Sequence, residues 1–163
     1  MCWQCDTGGT HQDYLDHVRK LIATHGWAVV GVERDRIHPP WAYTVGLTPH
    51  DRPELVMTGI EPRRATRLLN AAAEYVLQTA IPRPGETMQA GDAPVMEIVR
   101  VTDPAAHLLV ATELYGKLTR ALQLVHPDDR GHFPWCPGYR GGRGGQPVLG
   151  VRAASTADPR YAS

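Results

Sequence analysis

The 163-residue chain contains no apolar run that approaches the roughly 18 residues needed for a membrane-spanning helix. Its N-terminus also lacks the basic and apolar regions of a secretory signal peptide. Neither sign of charge dominates, because 17 Lys and Arg residues balance 17 Asp and Glu residues. There is therefore no global charge signal for nucleic acid or for an anionic membrane surface. We expect a cytoplasmic protein without a membrane partner.

The sequence also lacks a complete catalytic signature. It contains no Gly-x-Ser-x-Gly, no His-Glu-x-x-His and no kinase or nucleotide-binding motif. Its three cysteines are an odd number, which argues against a disulfide framework and favours free thiols or metal ligands. These absences leave open whether the protein is an enzyme, and no residue stands out as a nucleophile.

Hydrophobic periodicity is typical of an α+β domain. The pattern predicts, in order, a helix over 11–25, strands over 27–33, 41–47 and 54–60, a helix from Pro62 that ends at Pro82, a strand over 95–101, a short helix that ends at Tyr115, and a strand over 118–126. We predict a mostly antiparallel sheet of about five strands with two to three helices packed on it. The single domain spans residues 11–150, between an N-terminal tail with a cysteine pair (1–10) and a weakly ordered C-terminal tail (151–163).

Two segments rich in glycine are candidates for binding surfaces. Residues 82–94, which also contain several prolines, form a connection longer than most, so we predict that they are the lid or rim of a site. Residues 141–145 are four glycines around Arg143, which is typical of a flexible loop. Glycine-rich loops and exposed tryptophans together are consistent with a module that binds a protein partner.

The cysteine pair in Cys2-Trp3-Gln4-Cys5 has a spacing that suits zinc. Two thiols in one turn can hold one tetrahedral ion, and a structural site needs two further ligands. The candidates are His11 or His17, which are close in sequence, and His132 or Cys136 from a distant segment. We favour a site made by Cys2, Cys5, His11 and Cys136, with a redox dithiol or two idle thiols as alternatives.

A polar segment runs from Asp128 to Trp135. Its side chains could perform acid–base chemistry, with Asp129 and His132 as candidates and Arg130 as an anion clamp. The alternative is a structural loop that an Asp–Arg ion pair holds and a buried Trp135 caps.

An aromatic strand near the first proline pair is the other candidate site. Trp41, Tyr43 and Thr44, together with Trp135, could line a ligand pocket between the 41–47 strand and the 128–140 loop. Alternation places Trp41 and Tyr43 on one face of the strand and Thr44 on the other. The alternative is an ordinary strand of the hydrophobic core.

Several separated motifs occur in an order that resembles a known family. They are Pro40-Trp41-Ala42-Tyr43-Thr44-Val45-Gly46-Leu47, Pro53-Glu54-Leu55-Val56 with Gly59, Ala121-Leu122-Gln123, Asp128-Asp129-Arg130-Gly131, Phe133-Pro134-Trp135 and Gln146-Pro147-Val148-Leu149-Gly150. The chain resembles the bacterial family called domain of unknown function 4262 over roughly residues 11–150. The resemblance implies no particular reaction or cofactor. Cys136 departs from the polar residue expected after Phe-Pro-Trp, so a metal role for it is not a family trait.

The sequence favours an uncharacterised cytosolic protein that binds zinc and acts as a binding or regulatory module. The alternative is an enzyme of unassigned reaction whose pocket lies between the 41–47 strand and the 128–140 loop. A module that binds a protein partner through its tryptophans and glycine-rich loops is a third hypothesis.

Overall fold

The computed structural model describes residues 8–117 and 119–154, and within them six strands and four helices form an α+β fold. The strands are β1 (Ala28–Val32), β2 (Trp41–Val45), β3 (Glu54–Thr58), β4 (Thr87–Met88), β5 (Met96–Arg100) and β6 (Ala121–Val125). The helices are α1 (His11–His25), α2 (Pro62–Gln78), α3 (Pro104–His107) and α4 (Leu109–Tyr115). Short 3-10 turns occur at Thr48–His50 and Tyr139–Gly142. The fold class predicted from the sequence is confirmed.

All six strands belong to one sheet in the order β1-β2-β3-β6-β5-β4. The predicted, mostly antiparallel arrangement is present, since β1, β2 and β3 pair antiparallel in succession as a meander. The two halves of the sheet join where β3 and β6 pair in parallel, and the long crossover between them contains α2. The additional strand β4 is two residues long and pairs with β5, and such a short strand has no periodicity that a sequence pattern could detect.

Helices cover both faces of the sheet. α2 packs its apolar stripe on one face, where the buried residues include Leu68, Leu69 and Val76. α1 and α4 lie on the opposite face, where Val18 and Ala111 pack near Tyr43 in a second cluster. Because both faces are covered, every residue of β3 and β6 is buried. The α1 helix begins after Thr10, which forms a reciprocal capping box with Asp13.

One buried carboxylate organises the connection between β2 and β3. Glu54 is fully buried, and its Oε1 accepts hydrogen bonds from the backbone N–H groups of Gly46, Leu47 and Thr48 at 3.1, 3.0 and 2.9 Å. The Thr48 hydroxyl also donates to Oε1 at 2.8 Å, and the Thr44 hydroxyl donates to Oε2 at 2.7 Å. These bonds turn the chain away from the sheet after Val45, which explains why β2 ends before the predicted residue 47.

The ionisation of Glu54 reflects two opposed effects. Burial raises the pKa of the carboxyl group, because its charged form loses the solvation of water. The donors from Thr44, Thr48 and Gly46 favour the charged form and oppose that rise. The net direction is upward from the ordinary value of 4.5, so the folded state binds this proton more tightly than the unfolded chain does.

Two substitutions of Glu54 distinguish the effect of its charge from its role as a hydrogen-bond acceptor. Glu54→Ala should lower the free energy of unfolding by about 3 kcal/mol, because it leaves several buried backbone N–H groups without an acceptor. Glu54→Gln keeps an oxygen for those donors, so at neutral pH its effect should be about 1 kcal/mol or less. Denaturant unfolding of both variants measures the difference, and equal losses would contradict the acceptor role.

The pH dependence of stability tests the raised pKa of Glu54. The stability due to this group is complete below its ordinary pKa of 4.5 and is lost as the pH rises through the raised value. The wild-type free energy of unfolding should therefore fall, relative to that of Glu54→Gln, as the pH rises above 4.5. A difference between the two proteins that does not change with pH would contradict this interpretation.

Candidate functional site

After β6 and a polar loop, residues 146–149 return to the sheet, where two buried amide side chains, Gln123 and Gln146, hold them. Gln123 donates to the Pro147 carbonyl at 2.7 Å and accepts from the Leu149 N–H, also at 2.7 Å. The Gln146 side chain accepts a hydrogen bond from the His126 N–H at 3.0 Å and donates one to the His126 carbonyl at 2.8 Å. The return path is tight, since a Cβ at Gly59 would collide with the backbone of Gly145. Pro147 and Leu149 are therefore held in place, and both line the cavity that Trp41 also lines.

Asp128 holds the polar loop that precedes this segment. One of its carboxylate oxygens accepts from the N–H groups of Arg130 and His132 at 2.9 Å each, and the other accepts from the Arg140 N–H at 2.7 Å. Burial opposes ionisation of Asp128, but these backbone donors outweigh it and lower the pKa to about 2. The loop is thus held by a carboxylate that bonds backbone groups, rather than by the predicted Asp–Arg ion pair.

The acid–base candidates of the loop do not converge on one cavity. Asp129 and Arg130 are exposed, and the backbone N–H of Arg130 is its contact with Asp128. His132 packs against Gly138, and its buried Nδ1 lies 3.5 Å from Asp128, an ion-pair distance rather than a hydrogen bond. None of the four cavities that we describe is lined by Asp129, Arg130 or His132. The geometry therefore gives the enzyme hypothesis no support.

The residues of the predicted aromatic pocket are distributed over three places. Trp41 lines a cavity of about 290 Å³ with Thr58 and Leu149, and its indole N–H donates to the His107 carbonyl at 3.1 Å. Tyr43 is buried on the same face of the sheet, where its hydroxyl accepts from the Val110 N–H at 3.1 Å. Thr44 is buried on the opposite face and is bound to Glu54. Trp135 is away from all three and stacks on Phe133, with ring centroids 5.1 Å apart.

The predicted metal ligands do not form a cluster within the described part of the chain. His11 lies at the start of α1 and pairs with Glu113 of α4 at 2.9 Å. Cys136 is a half-buried free thiol in the loop that Asp128 holds. Residues 8–117 and 119–154 contain no group of three or more His, Cys, Asp or Glu side chains that could hold a metal ion. Cys2 and Cys5 lie outside the described residues.

A large basic cavity lies at the end of the sheet where β5 finishes and β6 begins. Its volume is about 610 Å³, and four basic residues line it: Arg83, Arg100, Lys117 and Arg120. Within residues 8–117 and 119–154, no Asp or Glu is part of its lining. The remaining wall is mainly apolar, with contributions from Pro53, Ile81, Pro82, Pro84, Val101 and Leu122.

The positions of these four cations along the chain explain why the sequence did not reveal the cavity. Arg83 belongs to the Pro- and Gly-rich loop that we predicted to be a lid or rim, and Pro82 and Pro84 beside it also line the wall. Arg100 ends β5, whereas Lys117 and Arg120 precede β6. Only antiparallel pairing of β5 with β6 brings these ends together, with Arg100 opposite Leu122.

The role of Asp128 can be tested against its neighbour. Asp128→Ala should accelerate hydrogen exchange at the amides of Arg130, His132 and Arg140 by about tenfold or more, because these groups lose their acceptor. Asp129→Ala is the matched control, since that side chain is exposed and has no bond within the described residues. Equal exchange in the two variants would show that Asp128 does not hold the loop.

Comparison with known proteins gives the family of the chain. The model of the family described as "Domain of unknown function (DUF4262)" matches residues 21–140. No curated protein and no solved structure matches the chain. Within the residues that the structure describes, none of the helices combines the length and the apolar character that crossing a membrane requires. The match covers most of the sequence and confirms the predicted resemblance: the chain belongs to the family called domain of unknown function 4262.

Proposed function

We propose that this protein is a binding module for a small molecule that carries two or more negative charges. The observation behind the proposal is the basic cavity of about 610 Å³, which Arg83, Arg100, Lys117 and Arg120 line and to which the described chain contributes no carboxylate. The volume falls within the roughly 300 to 1,000 Å³ that ligand pockets occupy. The proposal keeps the binding-module part of the sequence-based interpretation and moves the site to another part of the fold.

Within the part of the chain that the structure describes, the charges at the cavity are incompletely balanced by acidic groups. Arg120 pairs with Asp51 at 2.8 Å, but 59% and 95% of the two side chains are exposed. Such exposed pairs contribute little, typically about 0 to 1 kcal/mol. Within the described chain, the side chains of Arg83, Arg100 and Lys117 form no ion pair. Grouping like charges destabilises a fold, and an anionic ligand would remove that repulsion.

The kind of anion follows from the lining. Guanidinium groups bind phosphate or carboxylate groups through paired hydrogen bonds, and Lys117 adds a point charge. The apolar wall suits the uncharged body of such a ligand, and Ile81 at this wall is 36% exposed. We therefore expect a phosphorylated or polycarboxylated small molecule rather than a simple monovalent ion.

The chemistry of the lining favours binding over catalysis. Among the residues that the structure describes, the lining includes no His, Cys, Ser, Asp or Glu, the residue types that supply most acid–base and nucleophilic groups. Its hydroxyl belongs to Thr119, which is buried and donates to the Gly116 carbonyl at 2.8 Å. A ligand in this cavity would thus meet cations and apolar surface.

Calorimetric titration with inorganic triphosphate tests the proposal. Arg100→Gln combined with Lys117→Gln should weaken binding by about tenfold or more, because each lost charge–charge hydrogen bond contributes more than about 1 kcal/mol. Binding to the wild type should also weaken as salt is added, since the cations are exposed.

The matched control is Arg63→Gln combined with Arg67→Gln on the exposed face of α2. It changes the net charge equally but touches none of the four described cavities. The control should bind triphosphate as the wild type does. Equal weakening in both double variants, or no weakening in the cavity variant, would contradict a site at the cavity.

We also propose zinc binding as a second function. It is supported by the spacing of Cys2 and Cys5 and by the presence of a free thiol at Cys136 and an imidazole at His11 as further ligands. A structural zinc would join the N-terminal residues to the folded domain, and thiolate ligation would link its affinity to pH.

Metal analysis of the purified full-length chain tests this second proposal. We expect close to one equivalent of zinc in the wild type and a loss of that zinc in Cys2→Ser combined with Cys5→Ser. Cys136→Ser alone should lower the affinity without the complete loss seen in the double variant. Less than about a tenth of an equivalent in the wild type, or zinc that is indifferent to the double substitution, would exclude the site.

A further inference from the structure

The guanidinium group of Arg152 contacts a carboxylate and an aromatic ring at the same time. Its Nε and one Nη donate to the two oxygens of Glu97 at 2.7 and 3.0 Å, so the contact is bidentate. The same guanidinium lies over the ring of Trp135, with its central carbon 4.1 Å from the ring centroid. Phe133 stacks on Trp135 with an angle of 2° between the ring planes and supports it as a platform.

This arrangement is specific for a planar cation. The Glu97 carboxylate presents two acceptors in the geometry of a guanidinium fork, and the indole face binds a delocalised cation by stacking. An ammonium group could pair with the Glu97 carboxylate only as a point charge, and it has no plane that could stack on the Trp135 ring. Only 9% of the Glu97 side chain is exposed, so loss of its cation would leave a nearly buried charge unpaired. Any group that replaces Arg152 must therefore bring a cation, and a guanidinium is the cation that makes both the bidentate and the stacked contact.

Within the described residues, the chain beside Arg152 has fewer backbone hydrogen bonds than the chain before it. Leu149 is anchored through its N–H to Gln123 and through its carbonyl to the Thr102 N–H. By contrast, Val151, Ala153 and Ala154 make no backbone–backbone hydrogen bond to the rest of the described chain. Val151 is 83% exposed, and 41% of the Arg152 side chain is exposed. Such a segment opens at a smaller free-energy cost than a paired strand does.

We propose that Glu97 and Trp135 form a docking site for an arginine side chain of a partner polypeptide, and that Arg152 occupies the site in its absence. Arg152 reaches the site from a segment without regular secondary structure, so no helix or strand has to be built into a partner peptide for its arginine to reach the same two groups. Displacement conserves charge, since one guanidinium replaces another on Glu97. The site is independent of the basic cavity, none of whose lining residues takes part in it.

The test uses the full chain with Arg152→Ala, and N-acetyl-argininamide as the probe. This variant should unfold at a lower temperature than the wild type, and the probe should restore the midpoint in a saturable way. N-acetyl-lysinamide, the matched probe, should be about fivefold or more weaker, because it cannot make the bidentate and stacked contacts. Arg152→Lys, which keeps a cation beside Glu97, is a second variant for the same titration if Arg152→Ala does not fold.

Two further proteins make the result decisive. Glu97→Gln combined with Arg152→Ala should lose the response to the probe, because the fork of acceptors is gone. The wild type should need roughly tenfold more probe, since a tethered Arg152 competes at an effective concentration in the millimolar range. Side-chain NMR of the Arg152 Nε–H should follow its displacement in the wild type.

Three results would overturn the proposal. The first is a response in Arg152→Ala that is absent or not saturable. The second is an equal response with Glu97→Gln present, which would indicate a non-specific solvent effect of the probe. The third is an Arg152 signal in the wild type that never moves at the highest probe concentration, which would mean that the pair is a permanent structural salt bridge.

Discussion

The fold depends on a buried carboxylate that has no ion-pair partner within the described residues. Glu54 accepts bonds from three successive backbone N–H groups after β2 and from the hydroxyls of Thr44 and Thr48. These bonds fix how β2 turns into β3, and β3 is the strand that joins the two halves of the sheet. Because β3 also carries Thr58, which donates to the Pro147 carbonyl at 2.6 Å, the same strand positions the C-terminal segment. The basic cavity and the Glu97–Trp135 site both involve the half of the sheet formed by β6, β5 and β4, which this junction connects to β3.

Local signals in the sequence were sufficient for most of the fold. The capping box of α1, the meander of β1 to β3 and the apolar stripe of α2 each depend on residues close in sequence, and all three are present. What local signals could not provide was the role of buried polar side chains. In the sequence, Glu54 looks like the first residue of an ordinary strand. In the structure it is buried and accepts five hydrogen bonds, and these bonds end β2 before the predicted residue. Gln123 likewise reads as a polar interruption in β6, although it holds Pro147 and Leu149.

The site was harder to predict, because its residues converge only through strand pairing. The segments that looked most like a site, Trp41 to Thr44 and Asp128 to Trp135, are largely occupied in packing and in holding backbone groups. Trp41 alone of that aromatic set lines a cavity that we describe. The basic cavity combines Arg83 from a loop, Arg100 from a strand end and two residues before β6. Individually, each of these cations is an ordinary exposed residue.

The proposed function requires that these scattered cations act together on one anion. Backbone NMR of the uniformly labelled protein during a triphosphate titration tests this claim most directly. The claim predicts saturable shifts concentrated at Arg83, Arg100, Lys117 and Arg120 and their neighbours, with little change at the Arg34 to His38 loop or on the exposed face of α2. Shifts spread over all basic residues, or concentrated at Arg34, Arg36 and Arg140 around the separate cavity of about 490 Å³, would contradict it.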